Sequence, residues 1–121
     1  MITIPTYFIE KEIACPCCGF IVVDTRFLEM MYALRTLFNR PLNINSWCRC
    51  EKHNKEVGST SKNHTRGKAA DIRCVDNGNG WMRQKLMSCI IRTGFKRIGI
   101  HENFIHVDNM ELLSSIWIYK K

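Results

Sequence analysis

The 121-residue chain lacks any long apolar run. No window approaches the roughly 18 successive apolar residues that a membrane-crossing helix needs, which excludes such a helix. The opening Met-Ile-Thr-Ile-Pro-Thr-Tyr-Phe-Ile-Glu-Lys-Glu lacks a positive segment followed by an apolar core, so it does not read as a secretory signal. The expectation is a soluble product made in the cytoplasm, and any action outside the cell requires release by another agent. No internal repeat, low-complexity tract or linker interrupts the chain, and its length suits a single domain over residues 1–121. A basic tail is also missing. Eighteen Lys and Arg against 11 Asp and Glu give a formal net charge of +7, but they are spread out, with only short pairs such as Lys120-Lys121. This charge points to an acidic partner (nucleic acid, an anionic membrane or an anionic cell-wall polymer) without choosing among them.

Cysteine, by contrast, is abundant: seven residues, with Cys15, Cys17 and Cys18 clustered, Cys48 and Cys50 close together, and Cys74 and Cys89 alone. In an unsecreted protein, reduced and partly buried thiols are the default reading. The alternative is a structural zinc site on Cys15, Cys18, Cys48 and Cys50, although the Cys48–Cys50 spacing is tighter than usual for such ligands.

The local patterns describe an α+β domain with a small antiparallel sheet and about three helices. Residues 1–12 read as irregular or as a short strand, with Pro5 breaking any helix. Cys15 to Gly19 reads as a turn and Phe20 to Val23 as a short apolar strand. Asp24 is a helix cap, with Phe27, Met31, Leu34 and Phe38 recurring at helical spacing to about Asn39. A strand is expected over Leu42 to Ser46, then a short polar helix over Cys50 to Val57 closed by Gly58. After a loop, a strand is expected from Ala69 to Val75, a turn at Asp76-Asn-Gly-Asn-Gly, and an amphipathic helix over Trp81 to Thr93 that buries Trp81, Leu86, Cys89 and Ile90. Three late strands follow, at Arg97 to His101, Phe104 to Asp108 and Ser115 to Tyr119.

The chemistry concentrates in Ser59 to Arg73, where His64, Gly67, Ala69 and Asp71 stand. Zinc accepts an imidazole nitrogen and a carboxylate oxygen together. The spacing of His64 and Asp71 is not that of a helical ligand pair, but a loop turning through Gly67 could set His64 beside an Asp71 on the next strand. A third ligand candidate is His106, in Phe104-Ile-His-Val-Asp108. Strand alternation puts Phe104, His106 and Asp108 on one face, so Asp108 could orient a ligand histidine.

His64-Thr-Arg-Gly-Lys-Ala-Ala-Asp71, followed downstream by His106-Val-Asp108, resembles the M15-type zinc D-Ala-D-Ala peptidases of peptidoglycan, whose fold is shared with the hedgehog signalling domain. The resemblance extends over most of the chain. Asn45-Ser-Trp-Cys-Arg49-Cys-Glu-Lys-His-Asn54 is similar to the family segment that carries an arginine before the motif loop. Cys15 to Gly19 and the helix after Asp24 look like the N-terminal part of short, phage-type members. The resemblance implies that His64, Asp71 and His106 hold one catalytic zinc ion and that Arg49 contacts the substrate carboxylate or the scissile carbonyl. His101 falls where the carboxypeptidase-like branch has its catalytic histidine. Another branch has a Glu or Asp where this chain has Asn103, which cannot act as a base. Glu102 is a further candidate, turned away from His101 by strand alternation. Lys62 stands where many members have serine.

A zinc peptidase acting on peptidoglycan stem peptides is thus implied, either carboxypeptidase or endopeptidase. The expected setting is a monomer with no nucleic-acid or membrane partner, acting on the wall after release or as part of a virion. The rival is a non-catalytic, zinc-stabilised binding or virion structural domain of the same fold.

Overall fold

The structure is a computed structural model that describes residues 7–59, 63–74, 80–110 and 114–119. The 76–79 turn, Val75, Pro5, Lys62 and Lys120-Lys121 lie outside the described residues.

Among the described residues, four α-helices, one 3-10 turn and five strands follow in the order α1 (Glu10–Ile13), α2 (Thr25–Phe38), β1 (Ile44–Ser46), α3 (Glu51–Glu56), the 3-10 turn (His64–Arg66), β2 (Ala69–Arg73), α4 (Trp81–Thr93), β3 (Arg97–Ile100), β4 (Phe104–Asp108) and β5 (Ser115–Ile118). The α+β class is as expected. The extra helix is α1, a single turn in which the Glu12 carboxylate accepts from the backbone N–H of Ile9 at 3.1 Å.

Helix α2 begins where its cap dictates: Asp24 accepts from the Phe27 N–H at 2.8 Å. It ends on Asn39 in the left-handed conformation. Its buried face is Phe27, Met31, Leu34 and Phe38, the residues at helical spacing. Helix α4 buries Leu86, Cys89 and Ile90 and ends on Gly94 at φ 104°. Trp81 departs from the expected core set. It is 42% exposed and packs under the Arg40 guanidinium, 4.9 Å from the ring centroid.

The strands form one five-stranded sheet in the order β1-β2-β4-β3-β5. The sheet is mixed rather than antiparallel, because β5 runs parallel to β3. The reason is topological. β3 and β4 form a hairpin with Asp108 opposite Arg97, and β5 lies on the other side of β3 with Ser115 against Arg97. Local alternation shows that a segment is a strand, but not on which side of its neighbour the next one lands.

Alternation gives the sheet two unlike faces. Ala70, Ile72, Ile98, Ile105 and Val107 join the buried residues of α2 and α4 in one apolar cluster. Trp47 anchors the same cluster, edge-on to Phe8 and Phe27 at 5.3 and 5.4 Å between ring centroids. The other face carries Asp71, His106 and Asp108. Phe20 to Val23 is not a strand. Its apolar side chains are largely exposed, and Val22 bonds through N–H and C=O to the Cys48 sulfur. Among the described residues no helix is long and apolar enough to cross a membrane.

Gly67 holds this arrangement together. It sits at φ 67°, and a Cβ there would lie 2.3 Å from the Val22 carbonyl oxygen. Both the left-handed backbone and the close backbone approach exclude a side chain. Gly67→Ala is expected to cost roughly 2 kcal/mol or more, read as a lowered denaturation midpoint with an unchanged slope.

Candidate metal centre and catalytic cleft

Three elements converge on the polar face of the sheet. The 3-10 turn brings His64, β2 brings Asp71, and β4 brings His106 directly opposite Asp71 in the ladder. The left-handed Gly67 reverses the chain between the turn and β2, so the sequence separation of His64 and Asp71 closes to 3.4 Å between His64 Nε2 and Asp71 Oδ1. His106 Nδ1 lies 2.8 Å from the same oxygen. One donor atom from each of the three residues falls within 4.8 Å of the others.

The far side of each imidazole is occupied. His64 Nδ1 lies 2.8 Å from the Trp47 carbonyl oxygen, which can only accept, so Nδ1 carries the proton and Nε2 presents a lone pair to Asp71. His106 Nε2 lies 2.8 Å from Asp108 Oδ2. With that proton given to Asp108, the Nδ1 lone pair of a neutral His106 faces the Asp71 carboxylate. Three acceptors then point at one place, and a cation satisfies all of them. Two imidazole nitrogens and one carboxylate oxygen form a donor set suited to zinc that leaves a fourth position open.

Asp108 is the group that holds the arrangement. It is 1% exposed. Its Oδ2 accepts from the Asn63 side-chain amide at 3.0 Å as well as from His106, and its Oδ1 accepts from Arg97 Nε at 2.8 Å and the Met110 N–H at 3.1 Å. Asn63 and Arg97 were not apparent from sequence as parts of the site.

The electrostatics follow from these contacts. Burial alone would raise the Asp71 carboxyl, but the hydrogen bond from protonated His106 and the adjoining His64 ring outweigh it and hold Asp71 well below the ordinary carboxylate range. Burial likewise opposes the charge on Asp108, and the His106 hydrogen bond overrides it and lowers the pKa. Burial would lower His106, yet its bonds to Asp108 and Asp71 raise it. In chelator-treated protein the carboxylates stabilise the fold above their ordinary 3.8, an effect lost as pH falls through their depressed values. His106 stabilises it below the ordinary 6.5, an effect lost as pH rises through its raised value. Thermal scans of the chelated protein are therefore expected to peak between these limits and decline on both sides. A cation must displace the His106 proton, so zinc affinity is expected to rise with pH.

The centre opens into a cleft of about 600 Å³ lined by Arg49, Val57 to Ser59, Asn63, His64, Asp71, Arg97, Phe104, His106, Trp117 and Tyr119. Arg49 is positioned by its backbone N–H, which donates to the His64 carbonyl at 3.2 Å. Its Nε is buried with no hydrogen-bond partner among the described residues. Burial lowers the Arg49 pKa and the Asp71 charge counters it. A guanidinium among the cleft residues suits a carboxylate or a carbonyl oxygen.

His101 lies on the same sheet face but outside the lining. Its ring stacks on Phe104, with centroids 4.4 Å apart and planes at 9°, and its Nδ1 accepts from the Asn103 N–H at 3.1 Å. Glu102 and Asn103 are exposed in the β3–β4 turn, the Glu102 carbonyl accepting from Arg83.

Strand β5 and the residue after it supply two walls that sequence reasoning missed, Trp117 and Tyr119. They lie over Gly99, where an added Cβ would meet both rings at 2.7–2.8 Å. Gly99 stands opposite His106 on one side and Trp117 on the other. An isolated glycine within a strand is a recognised sign of close approach. Burial pushes the Tyr119 phenol up, so it stays protonated.

Cys48 does not join the other cysteines. It is buried and bonded to Val22, whereas Cys17 stands with Cys15, Cys18 and Cys50.

Neither a search of curated proteins nor one of solved structures gave a match. A scan against family models matched residues 6–108 to the family described as Peptidase M15, a span that includes β1 to β4 and every residue of the His64–Asp71–His106–Asp108 network. The chain belongs to the peptidase M15 family.

Proposed function

We propose that the protein is a zinc-dependent peptidase that hydrolyses peptide bonds in the stem peptides of bacterial peptidoglycan. The observation that carries this reading is the convergence of His64 Nε2, Asp71 Oδ1 and His106 Nδ1 at the floor of an open cleft, with the other ring nitrogens already engaged. A zinc ion held by these three residues supplies a coordination site at which water becomes acidic enough to attack near neutral pH.

The remaining roles fall to the chain's own groups. Arg49, a cleft-lining residue, offers its guanidinium to the substrate's carboxylate or scissile carbonyl. Tyr119 remains protonated and donates a hydrogen bond rather than taking a proton. Phe104 and Trp117 wall the cleft against water. Among the described lining residues, no imidazole or carboxylate stands outside the His64–Asp71–His106 set. We assign proton transfer to His101, the imidazole stacked on the cleft residue Phe104. Its Nδ1 must release the Asn103 N–H to accept the proton of the attacking water, and then pass it to the leaving amine. The net charge of +7 favours approach to anionic wall polymers.

The position of His101 outside the cleft favours one second reading, a zinc-stabilised binding domain without turnover. The two differ in a direct assay. Zinc-loaded protein is expected to release new amino groups from purified peptidoglycan or a D-Ala-D-Ala peptide. His101→Ala is expected to lose about 10²–10⁴-fold in kcat/KM while keeping its zinc. A His101→Ala variant within threefold of wild type would remove His101 from the mechanism. A wild type that holds zinc and cleaves no wall substrate would establish the binding reading.

A further inference from the structure

We propose that Cys15, Cys17, Cys18 and Cys50 form a second metal site, a structural zinc centre with four thiolate ligands. The sulfurs already stand close to the corners of a coordination tetrahedron. With Zn–S bonds of about 2.3 Å, neighbouring sulfurs in a tetrahedron lie about 3.8 Å apart. Here Cys15 and Cys17 are 3.5 Å apart, Cys15 and Cys50 3.8 Å, and Cys17 and Cys50 3.4 Å. Cys18 completes the set with all four sulfurs within 4.8 Å of one another. All are free thiols.

The backbone is shaped to hold the cluster. The Cys15 N–H donates to the Phe20 carbonyl at 2.7 Å and the Gly19 N–H to the Cys15 carbonyl at 2.9 Å, closing a turn with Gly19 at φ 77°. The turn folds Cys17 and Cys18 back over Cys15. The fourth sulfur arrives from 35 residues away on a different element. Cys50 caps α3, and its sulfur accepts from the His53 N–H at 3.3 Å. Four thiolates massed together repel one another unless a cation sits among them, and a soft, tetrahedral sulfur set selects zinc. No fourth position is left open, so this centre is structural.

Its position gives it a task. Cys50 follows Arg49 directly, and the Cys48 N–H donates to the Ile13 carbonyl at 2.8 Å. A metal joining the 15–18 turn to Cys50 thus clamps both flanks of the segment that carries Arg49 into the cleft.

The test is metal content and cobalt spectroscopy on the full chain, with neither relying on activity. Wild type is expected to hold two zinc ions, and Cys17→Ser and Cys18→Ser one each. His64→Ala is also expected to hold one. In cobalt-substituted protein, intense thiolate charge-transfer absorption is expected in wild type and His64→Ala and absent from Cys17→Ser. Alkylation of native wild type covers the case of a misfolded variant: Cys15, Cys17, Cys18 and Cys50 are expected to be protected with zinc and to react after chelation. A single zinc in wild type, cobalt spectra without thiolate absorption, or a disulfide among these four cysteines would each overturn the proposal.

Discussion

His106→Ala is expected to remove the active-site zinc and abolish turnover. The substitution deletes one of three protein donors and leaves the Asp71 and Asp108 carboxylates, both hydrogen-bonded to that imidazole, without their shared partner. Losing the metal's polarisation and water activation costs several kcal/mol of transition-state stabilisation, so kcat/KM is expected to fall by about 10³-fold or more. Metal analysis should show loss of the His64–Asp71–His106 ion, and circular dichroism should show that the apolar face of the sheet, which His106 does not join, keeps its fold. Retained activity with zinc still bound would mean that another donor replaces His106.

Asp108→Ala is expected to have the largest effect on stability. Its carboxylate is 1% exposed and accepts four hydrogen bonds, from Asn63, His106, Arg97 and the Met110 backbone. Deleting one partner of a buried ion pair typically costs roughly 3–5 kcal/mol, because the other charge is left behind. A fall in Tm of about 10 °C or more is expected for a chain of this size. The same substitution frees the His106 ring to rotate and change tautomer. Zinc affinity is therefore expected to drop about 10–100-fold, measured by competition with a chelator. Asp108→Asn, which keeps the shape but not the charge, should fall between the two. A Tm unchanged in Asp108→Ala would mean that Arg97 and Asn63 find equivalent partners elsewhere.

The parts of this protein that were legible in sequence are those set by local rules. Asp24 and Asn39 bound α2 because capping is decided within a few residues, and Phe104–Asp108 is a strand because its alternation covers a buried face. Residue type made His64, Asp71 and His106 candidates and strand parity set His106 beside Asp108, while the resemblance of their motifs to the M15 peptidases joined them into one site. The remainder depended on pairings between distant segments. The membership of Trp117 and Tyr119 in the cleft follows from β5 crossing to the far side of β3, which no local pattern encodes; Gly99 was the available sign. The exchange of Cys48 for Cys17 in the thiol cluster has a similar origin, since Cys48 is drawn inward by Val22. His101 shows the limit of motif position: strand parity placed it on the right face, while the Phe104 ring holds it outside the cleft lining.

The most direct test of the account is mass spectrometry of the products after purified peptidoglycan is digested with the zinc-loaded protein. Wild type is expected to yield stem-peptide fragments cut at a defined peptide bond, and His106→Ala none. Intact stem peptides after incubation with a folded protein that retains zinc on His64, Asp71 and His106 would contradict it.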